Sequence, residues 1–196
     1  MIEFIKGEIS DLTPTSVVLE TNGIGYFLNI SVNTFSQIQH AQTCRLYVHE
    51  AIREDAYVLF GFYDTEEREA FRKLISVSGV GANTARVILS SLTVAELESA
   101  LLAENVSIFK NIKGIGTKTA QRIIVELKDK VSKVGLAGGE QGSLLVAGSE
   151  VRSEALAALQ MLGFPAAAST KVVNAILKDQ PGLTVEQLIK ASLKML

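Results

Sequence analysis

The chain contains an internal repeat offset by 35 residues, and no other feature of its sequence limits its folding as tightly. Leu74-x-x-Val77-x-Gly79-Val80-Gly81-x-x-Thr84-Ala85-x-x-Ile88-Leu89 matches Phe109-x-x-Ile112-x-Gly114-Ile115-Gly116-x-x-Thr119-Ala120-x-x-Ile123-Ile124. Each copy reads as an apolar helix, a Gly-apolar-Gly turn and a second helix with Ala at a close-contact position. The glycines permit a tight turn without a Cβ clash and let a ligand approach the backbone. Val80 or Ile115, between them, can plug inward between the two helices.

That arrangement leaves the free N–H groups at the start of the second helix pointing outward, where the helix dipole favours an anion. It is the helix-hairpin-helix pattern. Such a turn holds a phosphate and reads no base edge, so the implied nucleic-acid binding is independent of sequence. In the second copy Lys118 and Arg122 follow the turn at i, i+4 spacing on one helix face, as a phosphate clamp requires. The first copy has Asn83 where the second has Lys118, which predicts a weaker grip. Gly114-Ile115-Gly116-Thr117-Lys118-Thr119 does not make an ATP loop. Thr117 stands where such a loop needs glycine, and a helix precedes it instead of a strand.

The net charge of −2 argues by itself against a nucleic-acid partner, but the charges are unevenly distributed. Residues 1–63 hold 3 basic and 7 acidic side chains, residues 64–133 hold 11 and 9, and residues 134–196 hold 5 of each. Within residues 105–133, Lys110, Lys113, Lys118, Arg122, Lys128, Lys130 and Lys133 face only Glu126 and Asp129. Screening makes attraction local beyond about 8 Å at physiological salt, so such a patch can draw phosphate despite an acidic whole. No stretch approaches the ~18 apolar residues of a membrane span, and the N-terminus lacks a signal-peptide pattern. Cys44 has no disulfide partner. The cytoplasm is the expected location, with no membrane, metal or cofactor and no catalytic residues.

Around the repeat the periodicity changes twice, predicting a multi-domain α+β chain. Residues 1–63 read as five strands near 2–12, 15–21, 25–31, 44–50 and 56–62, with Asn22-Gly23 as a hairpin turn and a short helix in 33–39. That order is an OB-type barrel. Residues 64–133 read as an all-α domain of about five helices holding the tandem hairpins. Asp64…Glu67 and Thr93…Glu96 have capping-box spacing. Residues 134–149, rich in glycine, read as a flexible linker. Residues 150–196 read as three short helices (150–162, 166–178, 184–195), the last opened by Thr184…Gln187, in a small domain suited to docking a protein. Leu156, Leu159, Leu162 and Phe164 are its candidate contacts.

With these parts in this order, the chain resembles the RuvA family along its whole length. The matching pieces are Arg53-Glu54-Asp55-Ala56 with Leu59-Phe60-Gly61-Phe62, Gly79-Val80-Gly81, and Gly114-Ile115-Gly116-Thr117-Lys118-Thr119-Ala120 with Arg122 and Glu126-Leu127-Lys128. Leu162-Gly163-Phe164 adds a family-like turn in the tail, where the resemblance implies a UBA-like three-helix domain.

The resemblance implies a non-catalytic subunit that binds four-way (Holliday) junctions and holds them open and flat. It further implies a homotetramer, or an octamer on DNA, and a hexameric RuvB-type ATPase that the tail docks for branch migration. A junction resolvase (RuvC) is a further implied partner, and recombination, DNA repair and the SOS response to damage are the implied setting. The DNA-binding positions it marks are Gly79, Val80, Gly81, Asn83, Gly114, Ile115, Gly116, Thr117, Lys118 and Arg122, and the acidic pin at the junction centre is Glu54 and Asp55. Asn83 departs from a lysine that family members often carry and Thr117 from a second lysine that can occur there, which concerns the strength of those contacts.

Two other classes compete. A structure-selective nuclease or glycosylase could use the same hairpins, but the residues near Glu54 and Asp55 supply no further acids, histidine or metal ligands. His40 and His49 read as barrel residues. A single-strand-binding barrel expects an aromatic stacking platform with basic companions, whereas this barrel is acidic and lacks Trp.

Overall fold

A computed structural model of the chain describes residues 1–132, 146–180 and 182–196, and side chains at 1–128, 151–180 and 182–196. Five strands close into a barrel: β1 (Phe4–Thr13), β2 (Ser16–Thr21), β3 (Ile24–Ile30), β4 (Thr43–Ile52) and β5 (Tyr57–Phe62), ordered β1-β2-β3-β5-β4. Helix α1 (Val32–Ile38) follows β3, and β3 pairs with β5 in parallel while the other pairs are antiparallel. The period-two pattern sets the interior: Val17 and Leu19, Leu28 and Ile30, and Leu46 and Val48 are all buried inside. Asn22 and Gly23 turn the second hairpin with positive φ (52° and 77°).

Strand β5 breaks the alternation because both its faces are covered. Leu59 joins the barrel interior, and a Cβ at Gly61 would meet Leu28 and Leu46 at 3.1 Å. Phe60 and Phe62 instead stack on Phe71, with ring centroids 5.1 and 4.9 Å away. Phe71 belongs to α2 (Thr65–Ile75), the first of five helices completed by α3 (Ala82–Ser91), α4 (Val94–Leu102), α5 (Val106–Lys110) and α6 (Thr117–Ser132). These helices and the outer face of β5 share one apolar core. His49 also lies against Phe71 (5.2 Å), and burial there lowers its pKa.

Polar contacts fix the same junction. Arg86 on α3 donates to the Thr15 carbonyl (2.9 Å) and to Asn29 Oδ1 (3.1 Å), and Asn33 Nδ2 donates to the carbonyls of Leu89 and Leu92. Asp64 caps α2 as its spacing predicts, accepting from the Glu67 N–H at 2.7 Å. The Glu67 carboxylate does not close the predicted box. It turns into the protein and accepts from the Thr34 hydroxyl (2.6 Å) and the Ser31 hydroxyl at the start of α1. Two buried hydroxyls beside a helix N-terminus hold a carboxylate better than the exposed helix start does. The boxes at Thr93–Glu96 and Thr184–Gln187 form in full.

The chain divides into two compact units between residues 138 and 139. The second holds α7 (Val146–Met161), α8 (Ala166–Asp179) and α9 (Val185–Leu193), packed on Ala155, Leu159, Val173, Ile176 and Leu188. Residues 146–149, read as part of the linker, are helical instead. One glycine there costs a helix only about 1 kcal/mol, so composition alone does not stop it. Residues 134–145 of that linker lie outside the described residues.

Burial pushes the Glu67 carboxyl above the usual carboxylate range, against the opposing pull of its two hydroxyl donors. The folded state therefore holds that proton more tightly than the unfolded chain. Stability from this group is greatest below the ordinary glutamate pKa of about 4.3 and declines as pH rises through the folded value. Glu67→Gln should match the wild type near pH 4 and gain on it toward pH 8 in denaturant midpoints. Thr34→Val removes one of those donors and one acceptor of the Tyr63 N–H, and should cost about 1–3 kcal/mol at neutral pH in the same measurement.

Candidate nucleic-acid interface

The two halves of the repeat fold into the same turn. Gly79 and Gly114 both have φ of +91°, a conformation that L side chains rarely adopt. In each turn the following apolar residue is buried, Val80 in one and Ile115 in the other. The turns close with the same bonds: Val80 N–H to the Val77 carbonyl (3.0 Å), and Ile115 N–H to the Ile112 carbonyl (3.1 Å). Each second helix then begins with one bond from Ala to Gly, Ala85 to Gly81 and Ala120 to Gly116, both 2.9 Å.

Gly81 and Gly116 stand at these helix starts without positive φ, and a Cβ built on either would meet nothing within 4 Å. The fold itself does not demand glycine there. A glycine there leaves the backbone open to close approach from outside. As glycines they bring no side-chain oxygen to the first N–H groups of α3 and α6, and the α3 start has no side-chain cap.

Thr117, Lys118 and Arg122 are exposed on α6, as is Asn83 on α3, and Lys110 and Lys113 lie exposed before the second turn. Arg122 has a further contact that spacing did not reveal. Its Nη1 donates to the carbonyl of Ser78 in the first turn at 3.0 Å, and its Nε lies 3.9 Å from Glu126. Arg86, engaged with the barrel, was likewise missed; both arginines reach partners more than 40 residues away.

Glu54 and Asp55 occupy the exposed tip between β4 and β5, closed by paired bonds between Arg53 and Ala56 (2.8 and 3.4 Å). The barrel surface also exposes Phe4, with Arg45 4.5 Å above its ring, and Phe27 and Tyr57. Among the described residues no group of three or more His, Cys, Asp or Glu is placed to hold a metal, and no helix is long and apolar enough to cross a membrane.

In the tail, the four candidate contacts separate. Leu159 is fully buried, and Leu156 and Phe164 are half-buried against the same core. The cause is the end of α7: Gly163 takes φ +92° while its N–H bonds to Gln160 and that of Phe164 to Leu159, a Schellman end that packs Phe164 onto Leu159. Leu162 remains 59% exposed, and Met161, which sequence reasoning passed over, is 90% exposed. Its adjacency to Leu162 at the helix end was the available signal.

A closed five-stranded barrel bearing two matched hairpins defines a protein of the tandem helix-hairpin-helix class. Family models match in three segments: RuvA N terminal domain at residues 1–61, SAM-like helix-hairpin-helix tandem at 71–129, and RuvA C-terminal domain at 150–196. Over 100% of both chains it is 57% identical to a protein of Bacteroides fragilis, 56% to one of Bacteroides thetaiotaomicron and 54% to one of Parabacteroides distasonis. Each of these relatives is named Holliday junction branch migration complex subunit RuvA. The chain belongs to the RuvA family.

The two glycines of a turn should respond differently to alanine. Gly114→Ala forces a side chain into left-handed φ and should cost about 1–3 kcal/mol in chemical denaturation. Gly116→Ala meets open space and should cost less, at most about 1 kcal/mol from the poorer helix start, so a larger defect in ligand binding would come from the blocked backbone.

Proposed function

We propose that this protein is a non-catalytic subunit that binds four-way DNA junctions independent of sequence, holds them open and flat, and recruits a hexameric RuvB-type ATPase for branch migration in recombination and repair. The observation that carries this reading is the pair of turns with matching torsions and hydrogen bonds, each leading into a helix start at a glycine that the fold does not need. Each turn holds one phosphate of a duplex arm through backbone N–H groups, and Lys118 strengthens the second grip by charge. Asn83 adds no charge, so the first grip is the weaker. Ile115 and Val80 act from below as plugs that aim the turns.

Assembly as a homotetramer, or an octamer on DNA, multiplies these grips by effective concentration and suits a substrate with four arms. In that assembly the Glu54-Asp55 tips gather at the crossing point, where like charge repels phosphate and guides strands apart. The tail carries the ATPase contact through Leu162, joined by Met161. A RuvC-type resolvase as an additional partner and a cytoplasmic setting complete the reading. The relatives' shared name, a subunit of a branch migration complex, supports this reading over the nuclease or glycosylase alternative.

Band shifts comparing a four-way junction with matched duplex test the proposal. Junction binding should be tighter, nearly indifferent to sequence and strongly weakened by salt. Lys118→Ala should reduce the salt slope by about 1, Gly116→Val should block the close phosphate approach, and Asn83→Ala should matter less than either. Equal affinity for junction and duplex rejects the reading, strand cleavage or base release with Mg²⁺ supports the enzyme, and preference for single strands supports the aromatic barrel surface as the site. Replacing Glu54 and Asp55 with Asn should tighten DNA binding or relax junction selectivity while the unfolding midpoint stays put. Loss of all DNA binding would instead assign the two acids an attractive or structural part.

A further inference from the structure

We infer that Arg122 is a positioning residue, which fixes the separation of the two hairpins by bridging from the second to the first. This rests on the reading of the turns as paired phosphate grips and adds the element that holds them in register. Arg122 lies one helical turn beyond Lys118 on α6, yet its guanidinium reaches back to the Ser78 carbonyl at 3.0 Å. Ser78 directly precedes Gly79, so the acceptor belongs to the first turn itself. Glu126 Oε1, 3.9 Å from Nε, steadies the other side of the guanidinium.

The repeat supplies an independent argument. Residues that each turn needs for its own work occur in both copies: the two glycines, the buried apolar residue between them, and the Thr-Ala pair that follows. Arg122 has no counterpart, since the equivalent position 35 residues earlier is Val87. A residue present once, making one contact between the two copies, is suited to joining them. Arginine is also the required type, because its planar fork can serve a carbonyl and a carboxylate together, whereas lysine offers a single point charge. A second phosphate can bind cheaply only if its grip is already at the correct distance from the first.

Arg122→Lys separates this role from that of a direct clamp, because it keeps the charge and removes the fork. In the DNA-free intact chain, amide hydrogen exchange across residues 77–81 should rise roughly tenfold, as expected for loss of one charge-assisted bond. Junction affinity should fall by a similar factor while the salt slope stays at its wild-type value. Glu126→Gln, which leaves Arg122 in place with one anchor fewer, should move both readouts the same way by less.

Unchanged exchange in Arg122→Lys overturns the inference, as does raised exchange with undiminished junction binding. Normal binding by Arg122→Lys, with a reduced salt slope in Arg122→Gln, assigns the residue to direct phosphate contact instead. If Gly116→Val and Lys118→Ala also leave binding intact, the phosphate-grip reading has failed. The exchange measurement, made without DNA, still decides whether Arg122 braces the turns.

Discussion

The left-handed backbone at Gly79 and Gly114 is the constraint from which the rest of the helical part follows. With φ at +91° the chain reverses within one residue and turns the next side chain, Val80 or Ile115, into the core. The same turns leave Gly81 and Gly116, at the starts of α3 and α6, exposed. The buried plug and the exposed helix start thus sit on either side of one left-handed residue. The surface of the turns is built by packing, and it needs few side chains of its own.

Electrostatics then decides what those helix starts can attract. A few charged groups are turned inward to hold the molecule together. Arg68 is buried and joined to Glu3, Arg86 serves the barrel, and Glu67 is satisfied by two hydroxyls. Lys110, Lys113 and Lys118 remain exposed around the second turn, while the acids of the β4–β5 tip stand on the barrel. Because screening confines each field to about 8 Å, an acidic total charge and a locally attractive turn coexist on one chain.

Local regularities in the sequence carried most of the fold. Alternation located the strands within a residue or two, Asn22-Gly23 marked its hairpin, and the repeat identified both turns down to the residues that plug them. What stayed hidden depends on distant partners. The capping-box spacing at Asp64 and Glu67 was correct for the backbone bond and wrong for the carboxylate, because Ser31 and Thr34 arrive beside it only after the barrel closes. The reach of Arg122 to Ser78 follows from how two helix pairs dock, which no single-helix period records. In the tail, helical periodicity put Leu156, Leu159 and Leu162 on one stripe. It could not tell that a Schellman end would draw Phe164 inward and leave Met161 and Leu162 outside.

Strand β5 has a mechanical meaning beyond its place in the barrel. Leu59 and Gly61 complete the barrel interior, while Phe60 and Phe62 on its reverse side hold the helices through Phe71. Barrel and hairpins therefore hang on one keel and cannot slip past each other without tearing a common aromatic layer. A load borne by either turn would therefore meet the barrel wall through that same aromatic layer, so barrel and helices share their packing as one body.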